Sequence, residues 1–219
     1  MTYRMLVFDW DGTLYDSSAH IVESVQFAAK EVGLPQVESH RVKSMIGLSF
    51  DEAIKNVMPD ISPVQMANFA KAFRDRIHDA NLDQPKLFEG AKDILTDLKN
   101  EGYWLSIATG KGRQGLTKDL EILELTDYFM VTRTSDDARS KPHPQMLLDV
   151  LELAGVETHE ALMIGDTEFD MQMAMNAKVD ALAVTYGVHE KEQLLQNEIQ
   201  GHLDDIRELP EWLKVKVRA

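Results

Sequence analysis

An α/β chain is what the sequence predicts: a doubly wound parallel sheet, broken after its first strand by an all-helical insert. Three observations predict it. Short apolar runs recur along the chain and each closes on polar or glycine residues. Helical patterns fill the spans between those runs. The stretch from about Tyr15 to Asp83 drops the alternation and reads as helical throughout. Strand alternating with helix implies a parallel sheet covered by helices on both faces, and such sheets bind ligands at the carboxyl ends of their strands.

The first run, Met5-Leu-Val-Phe8, ends at Asp9 and the turn pair Asp11-Gly12, which reads as a buried strand delivering a loop. In the insert, Asp16 or Ser17 is placed to cap a helix whose apolar positions Ile21, Val25, Ala28 and Val32 precede a stop at Gly33. Ser39 to Met45, Asp51 to Met58 and Ser62 to His78 follow, with Pro63 suited to a first helical position. Beyond the insert, helical patterns cover Ala91 to Asn100, Arg113 to Leu123 and Pro144 to Ala154, the last stopped by Gly155. Strand-like runs cover Trp104 to Ala108, Ala161 to Ile164 and Ala181 to Thr185, with a weaker one at Tyr128 to Thr132.

The bulk numbers fit one core with a modest insertion, since the chain has 219 residues, 44% hydrophobic and 27% charged. Its 37 acidic against 23 basic side chains give a formal charge of -14. That field repels a phosphate backbone, which excludes nucleic acid as an expected partner. It also means that an anionic substrate needs local positive charge, from a cation or a placed lysine. With no cysteine there is no disulfide framework and no thiolate nucleophile, which suits a reducing cytoplasm. No signal peptide or membrane span is read at the N-terminus.

Asp9 and Asp11 close the first strand one residue apart, and two carboxylates so crowded need a proton or a cation between them. A hard divalent ion with oxygen ligands meets that need, magnesium being the default beside phosphate. Asp-Gly is also an ordinary turn pair. Asp166 follows another strand and Asp170 lies four residues on, so both face one way if a helix begins there; taken alone, the same residues read first as a helix cap with a solvent-facing acid. Thr109-Gly110 offers a hydroxyl and free N–H groups at a strand end. In Lys141-Pro142-His143-Pro144 the prolines stiffen the backbone behind a lysine that could stay aimed at an anion.

Taken in order, these motifs resemble those of the haloacid dehalogenase (HAD) superfamily, in its phosphoglycolate-phosphatase-like branch. Asp9-Trp-Asp11-Gly-Thr13 resembles the first motif, Thr109-Gly-Lys111 the second, Lys141-Pro142 the third and Gly165-Asp166-Thr-Glu-Phe-Asp170 the fourth. The resemblance implies a Rossmann-like core over residues 1–14 and 84–219 with a helical cap over 15–83. It implies a phosphatase in which Asp9 attacks phosphorus and Asp11 carries protons. Asp9, Asp11 through its backbone carbonyl, Asp166 and Asp170 would serve magnesium, while Thr13, Thr109, Gly110 and Lys141 would grip the phosphoryl group. The implied partner is a small phosphorylated metabolite such as phosphoglycolate, a sugar or nucleoside phosphate or pyrophosphate, acted on by a monomer or homodimer.

Asp11 argues against carbon–halogen hydrolysis, which has no use for a leaving-group acid, and against phosphonate cleavage, where the resemblance puts a small residue at that position. A phosphomutase keeps both aspartates, and a phosphate-binding protein without turnover keeps the fold. Arg41 and Lys43, ahead of Met45-Ile46-Gly47, are the expected specificity residues of the cap. Lys111 reads equally as a phosphate contact or an electrostatic helix cap. His20 and His143 read as solvated or packing residues.

Overall fold

The computed structural model describes residues 3–79 and 86–218. In chain order the elements are β1 (Met5–Phe8), β2 (Tyr15–Asp16), α1 (Ser18–Glu31), α2 (Ser39–Lys43), α3 (Phe50–Val57), α4 (Pro63–Ile77), β3 (Lys86–Leu87), α5 (Ala91–Asn100), β4 (Trp104–Ala108) and α6 (Arg113–Ile122). There follow β5 (Val131–Arg133), α7 (Gln145–Ala154), β6 (Ala161–Gly165), α8 (Glu168–Ala177), β7 (Asp180–Val184), α9 (Lys191–Leu194), β8 (Gly201–Leu203) and α10 (Leu209–Arg218).

Six strands form one parallel sheet in the order β5-β4-β1-β6-β7-β8. Central β1 is apolar at every position because both of its faces are covered, as expected of an interior parallel strand. It pairs with β4 on one side and β6 on the other, Leu6 lying beside Leu105 and Leu162. Alternation splits its side chains between two cores. Leu6 and Phe8 join Leu95, Leu98, Leu116 and Leu213, whereas Met5 and Val7 join Met146, Val150, Met163 and Met171. The strand order reverses at β1, so the crevice for a ligand lies just beyond Phe8.

The predicted strands at Met5, Trp104, Ala161 and Ala181 are present. The weaker run at Tyr128 to Thr132 sits later than read, at Val131–Arg133, on the sheet edge where only β4 pairs with it. Gly155 ends α7 with a φ of 65°, a left-handed conformation that glycine adopts without strain. Strands β2, β3 and β8 and helices α9 and α10 extend beyond the sequence reading.

Strands β2 and β3 pair antiparallel and form the stem through which the chain leaves and re-enters the core. Above it the four helices α1 to α4 bury their own cluster, which includes Val25, Ala28, Val42, Ile54 and Phe69. Helix α4 starts on a capping box between Ser62 and Gln65 with Pro63 at its first turn. Phe50 of α3 packs against Phe73 and Phe69 of α4, with ring centroids 4.9 and 6.1 Å apart. The expected return from insert to core at 83/84 lies outside the described residues. No helix among the described residues is long and apolar enough to cross a membrane.

Candidate active site

Each strand end at the reversal point contributes a polar residue, because an apolar run that fills the sheet must be followed by the residue that turns the chain. Asp9 follows β1, Thr109 follows β4, and Asp166 follows β6; all three are buried. Asp170 arrives from the first turn of α8, and Lys141 from the loop after β5. One oxygen each of Asp9, Asp166 and Asp170 lies within 4.8 Å of the others.

Lys141, which is 0% exposed, is the cation among these acids. Its Nζ donates to Asp170 Oδ1 at 2.6 Å and lies 2.8 Å from Asp9 Oδ1. The second contact has ion-pair distance without hydrogen-bond angles, so both oxygens of buried Asp9 are left without a well-formed hydrogen bond. Burial pushes the Asp9 carboxyl up to about 7; Lys141 opposes that shift and the charge of Asp170 adds to it. Asp166 is also held well above the carboxylate range, by burial first and then by Asp9 and Asp170. Burial would lower the ammonium of Lys141, but Asp170 and Asp9 more than offset it and raise it.

The remaining oxygens differ in what they offer. Asp166 accepts from Thr13 Oγ1 at 2.7 Å and from the Val188 N–H at 2.8 Å. Asp170 accepts from the Thr167 N–H at 3.0 Å and its hydroxyl at 2.7 Å, which also caps α8. Three buried carboxylates, one of them lacking hydrogen bonds, with a single neutralising lysine fit a divalent cation with oxygen ligands.

The Asp11 carboxylate lies outside this cluster and faces a second network. Ser17 Oγ donates to it at 2.6 Å, and Lys111 Nζ lies 3.1 Å away. Lys111 also contacts Asp119 at 3.2 Å, and the Trp10 indole N–H donates to Asp119 at 3.0 Å. Burial would lower the Lys111 ammonium, but Asp11 and Asp119 more than offset it and raise it. Lys111 is therefore occupied by two acids. Ser17 precedes α1 as expected, yet its hydroxyl serves Asp11 instead of the helix end.

Several expected residues lie elsewhere. Arg41 and Lys43 are exposed and do not line the cavity over Asp9, because α2 turns Val42 inward and the turn that follows it presents Met45 and Ile46 instead. Thr13 spends its hydroxyl on Asp166. His20 contacts the Ile77 carbonyl at 3.0 Å and His143 joins Arg139 at 2.9 Å, both away from the acids. Asp119 and Trp10 were missed; the available signal was an acid at Asp119 between Leu116 and Leu120 on the buried face of α6.

Gly110 meets the cap. A β-carbon there would lie 2.5 Å from the Leu48 carbonyl oxygen and closer still to that of Gly47. The backbone N–H of Ser49 donates to Ser140 Oγ at 2.9 Å beside this contact. Gly110→Ala is expected to lift the 47–48 loop and lower kcat/KM by about 10²-fold. The melting temperature should change little, since the loop can move into solvent. Steady-state kinetics within twofold of the native chain would show that this close approach is dispensable.

The match to known proteins follows the same residues. Residues 6–184 match the model of the haloacid dehalogenase-like hydrolases. A protein named "Probable phosphatase IndB" in Dickeya dadantii (strain 3937) is 30% identical over 215 residues, covering 94% of this chain and 91% of its own. A phosphoglycolate phosphatase of Aliivibrio fischeri (strain ATCC 700601 / ES114) is 28% identical over 214 residues, covering 94% of each. The crystal structure of a predicted phosphoglycolate phosphatase from Haemophilus somnus 129pt superposes with a TM-score of 0.89 at 22% identity, covering 97% of this chain and 98% of the other. With its sheet, its helical cap and four acidic and basic motifs meeting at one strand reversal, the chain belongs to the haloacid dehalogenase-like hydrolase family.

Proposed function

We propose that the chain is a magnesium-dependent phosphatase that hydrolyses small phosphate monoesters through an aspartyl-phosphate on Asp9. The observation that carries this reading is the Asp9 carboxylate: it lines the cavity at the strand reversal, is buried, and lies 2.8 Å from Lys141 beside Asp166 and Asp170. A buried carboxylate that opens onto the cavity and is poorly solvated can act as a nucleophile toward a phosphate bound there.

In the first displacement an Asp9 oxygen bonds to phosphorus while the ester P–O bond breaks, and Asp11 gives the departing alkoxide a proton. In the second, water attacks the same phosphorus, Asp11 takes its proton, and the bond to Asp9 breaks to release inorganic phosphate. Ser17 and Lys111 hold the Asp11 carboxyl beside the cavity during both steps. Thr109 and Gly110 line the cavity, and their hydroxyl and backbone, with the Lys141 ammonium behind Asp9, would offset charge on the transferring oxygens. Asp9 and Asp166 would hold magnesium, with Asp170 orienting the set, and the bound ion supplies positive charge against the repulsion between carboxylate and phosphate.

The partner proposed is a small phosphorylated metabolite in a cytoplasmic setting. The test is hydrolysis of a chromogenic phosphate ester. Turnover is expected to vanish in chelator and to return with magnesium; full activity after exhaustive chelation would refute the metal requirement.

A further inference from the structure

The cavity above Asp9 has a volume of about 490 Å³, within the range of roughly 300–1,000 Å³ typical of sites that enclose an organic ligand. Its floor is polar, with Asp9, Asp11, Thr109 and Lys111. Its cap wall is hydrocarbon: Ile21 and Val25 from α1, Met45 after α2, Phe50 and Ile54 from α3, and Phe73 from α4. The charged lining residues outside the floor, Asp51, Arg74 and Asp136, are solvent-exposed, and the remaining polar side chains of the lining, His78, Gln114 and Ser135, come from outside helices α1 to α3. Lys111 is engaged by Asp11 and Asp119, and Lys141 by Asp9 and Asp170. Partly buried Lys111 and fully buried Lys141 are thus each held between two acids.

Resting on the phosphatase reading above, we infer that the substrate is a phosphate monoester with an apolar alcohol, aliphatic or aromatic and several carbons long, which the cap wall encloses. A glycolate carboxylate or a second phosphate in the same place would lose its water against hydrocarbon with no buried cation to replace it. An alkyl or aryl group instead gains from every carbon that it buries.

Ethyl, butyl and hexyl phosphate test this, because their leaving groups are chemically alike and only the apolar length varies. With the full chain and magnesium, kcat/KM is expected to rise about fourfold per added methylene. Hexyl phosphate should exceed both 2-phosphoglycolate and pyrophosphate. Ile21→Trp, which fills the cavity from a half-buried position, should lower kcat/KM for hexyl phosphate at least tenfold more than for ethyl phosphate; an equal loss on both esters overturns the inference. A flat alkyl series, or phosphoglycolate or pyrophosphate ahead of hexyl phosphate, overturns the inference and leaves the phosphatase reading intact. If no ester is hydrolysed, the phosphatase reading falls, and calorimetry with ethyl- and hexylphosphonate still decides the pocket: a hexyl Kd no lower than the ethyl Kd overturns it.

Discussion

Asp9→Asn is expected to abolish turnover while making the metal-free protein more stable than the native chain above pH 7. An amide oxygen is a poor nucleophile toward phosphorus, and removing a nucleophile lowers kcat on the order of 10⁴-fold or more. The stability gain comes from the charge. Folded Asp9 holds its proton up to about pH 7, whereas an unfolded one releases it near 3.8. A raised acid contributes stability that is complete below the lower value and is lost as the pH rises through the upper one. Asparagine has no proton to lose, so the variant avoids that loss. In chelator, its melting temperature should therefore exceed the native one at pH 8, with the gap closing toward pH 4. Magnesium should reverse the order by stabilising only the native chain. A variant that keeps more than a few per cent of native activity would rule out attack by Asp9; a gap independent of pH would rule out the buried ionisation as its cause.

What the sequence conveyed about this molecule was the part set by local pattern. Apolar runs such as Met5 to Phe8 announce strands because both faces of a parallel sheet are covered, and Pro63, Gly33 and Gly155 mark helix ends by their own backbone preferences. Short β8 and the β2–β3 stem carry too few residues for a period to show, and they form because the core and the returning chain hold them. In the site, the motif residues that follow strands converge as spacing suggests, with Asp9, Asp166, Asp170 and Lys141 in contact range. Asp11 shows what spacing does not convey. Its position beside Asp9 was legible, but the direction of its carboxylate depends on Ser17, Lys111 and Asp119, brought together from the first loop, the loop after β4 and the far side of α6. Arg41 and Lys43 lie outside the cavity lining for a related reason. A helix of five residues gives no periodic signal to say which side faces the cavity, and Val42 takes that side.

Lys141→Met should destabilise the metal-free chain more than any other single change in the site. Lys141 is fully buried and touches two of three carboxylates that lie within 4.8 Å of one another. Methionine preserves much of the volume but leaves those acids without a cation. Removing one partner of a buried ion pair costs about 3–5 kcal/mol, which in a chain of this size lowers the melting temperature by about 10 °C. The loss should shrink as the pH falls, because burial already raises the proton affinity of Asp9 and Asp166 and both take protons more readily without the lysine. It should also shrink with magnesium, since a divalent cation among the same oxygens restores part of the missing charge. Activity is not expected to follow that recovery: an ion held by Asp9 and Asp166 rebalances the acids, but the ammonium that the proposed mechanism sets against phosphoryl charge is still gone. Melting curves with and without magnesium from pH 5 to 8, read beside kcat, separate the two roles. If the melting loss is the same at every pH and magnesium restores none of it, then packing of the lysine stem, and not its charge, is what holds this part of the fold together.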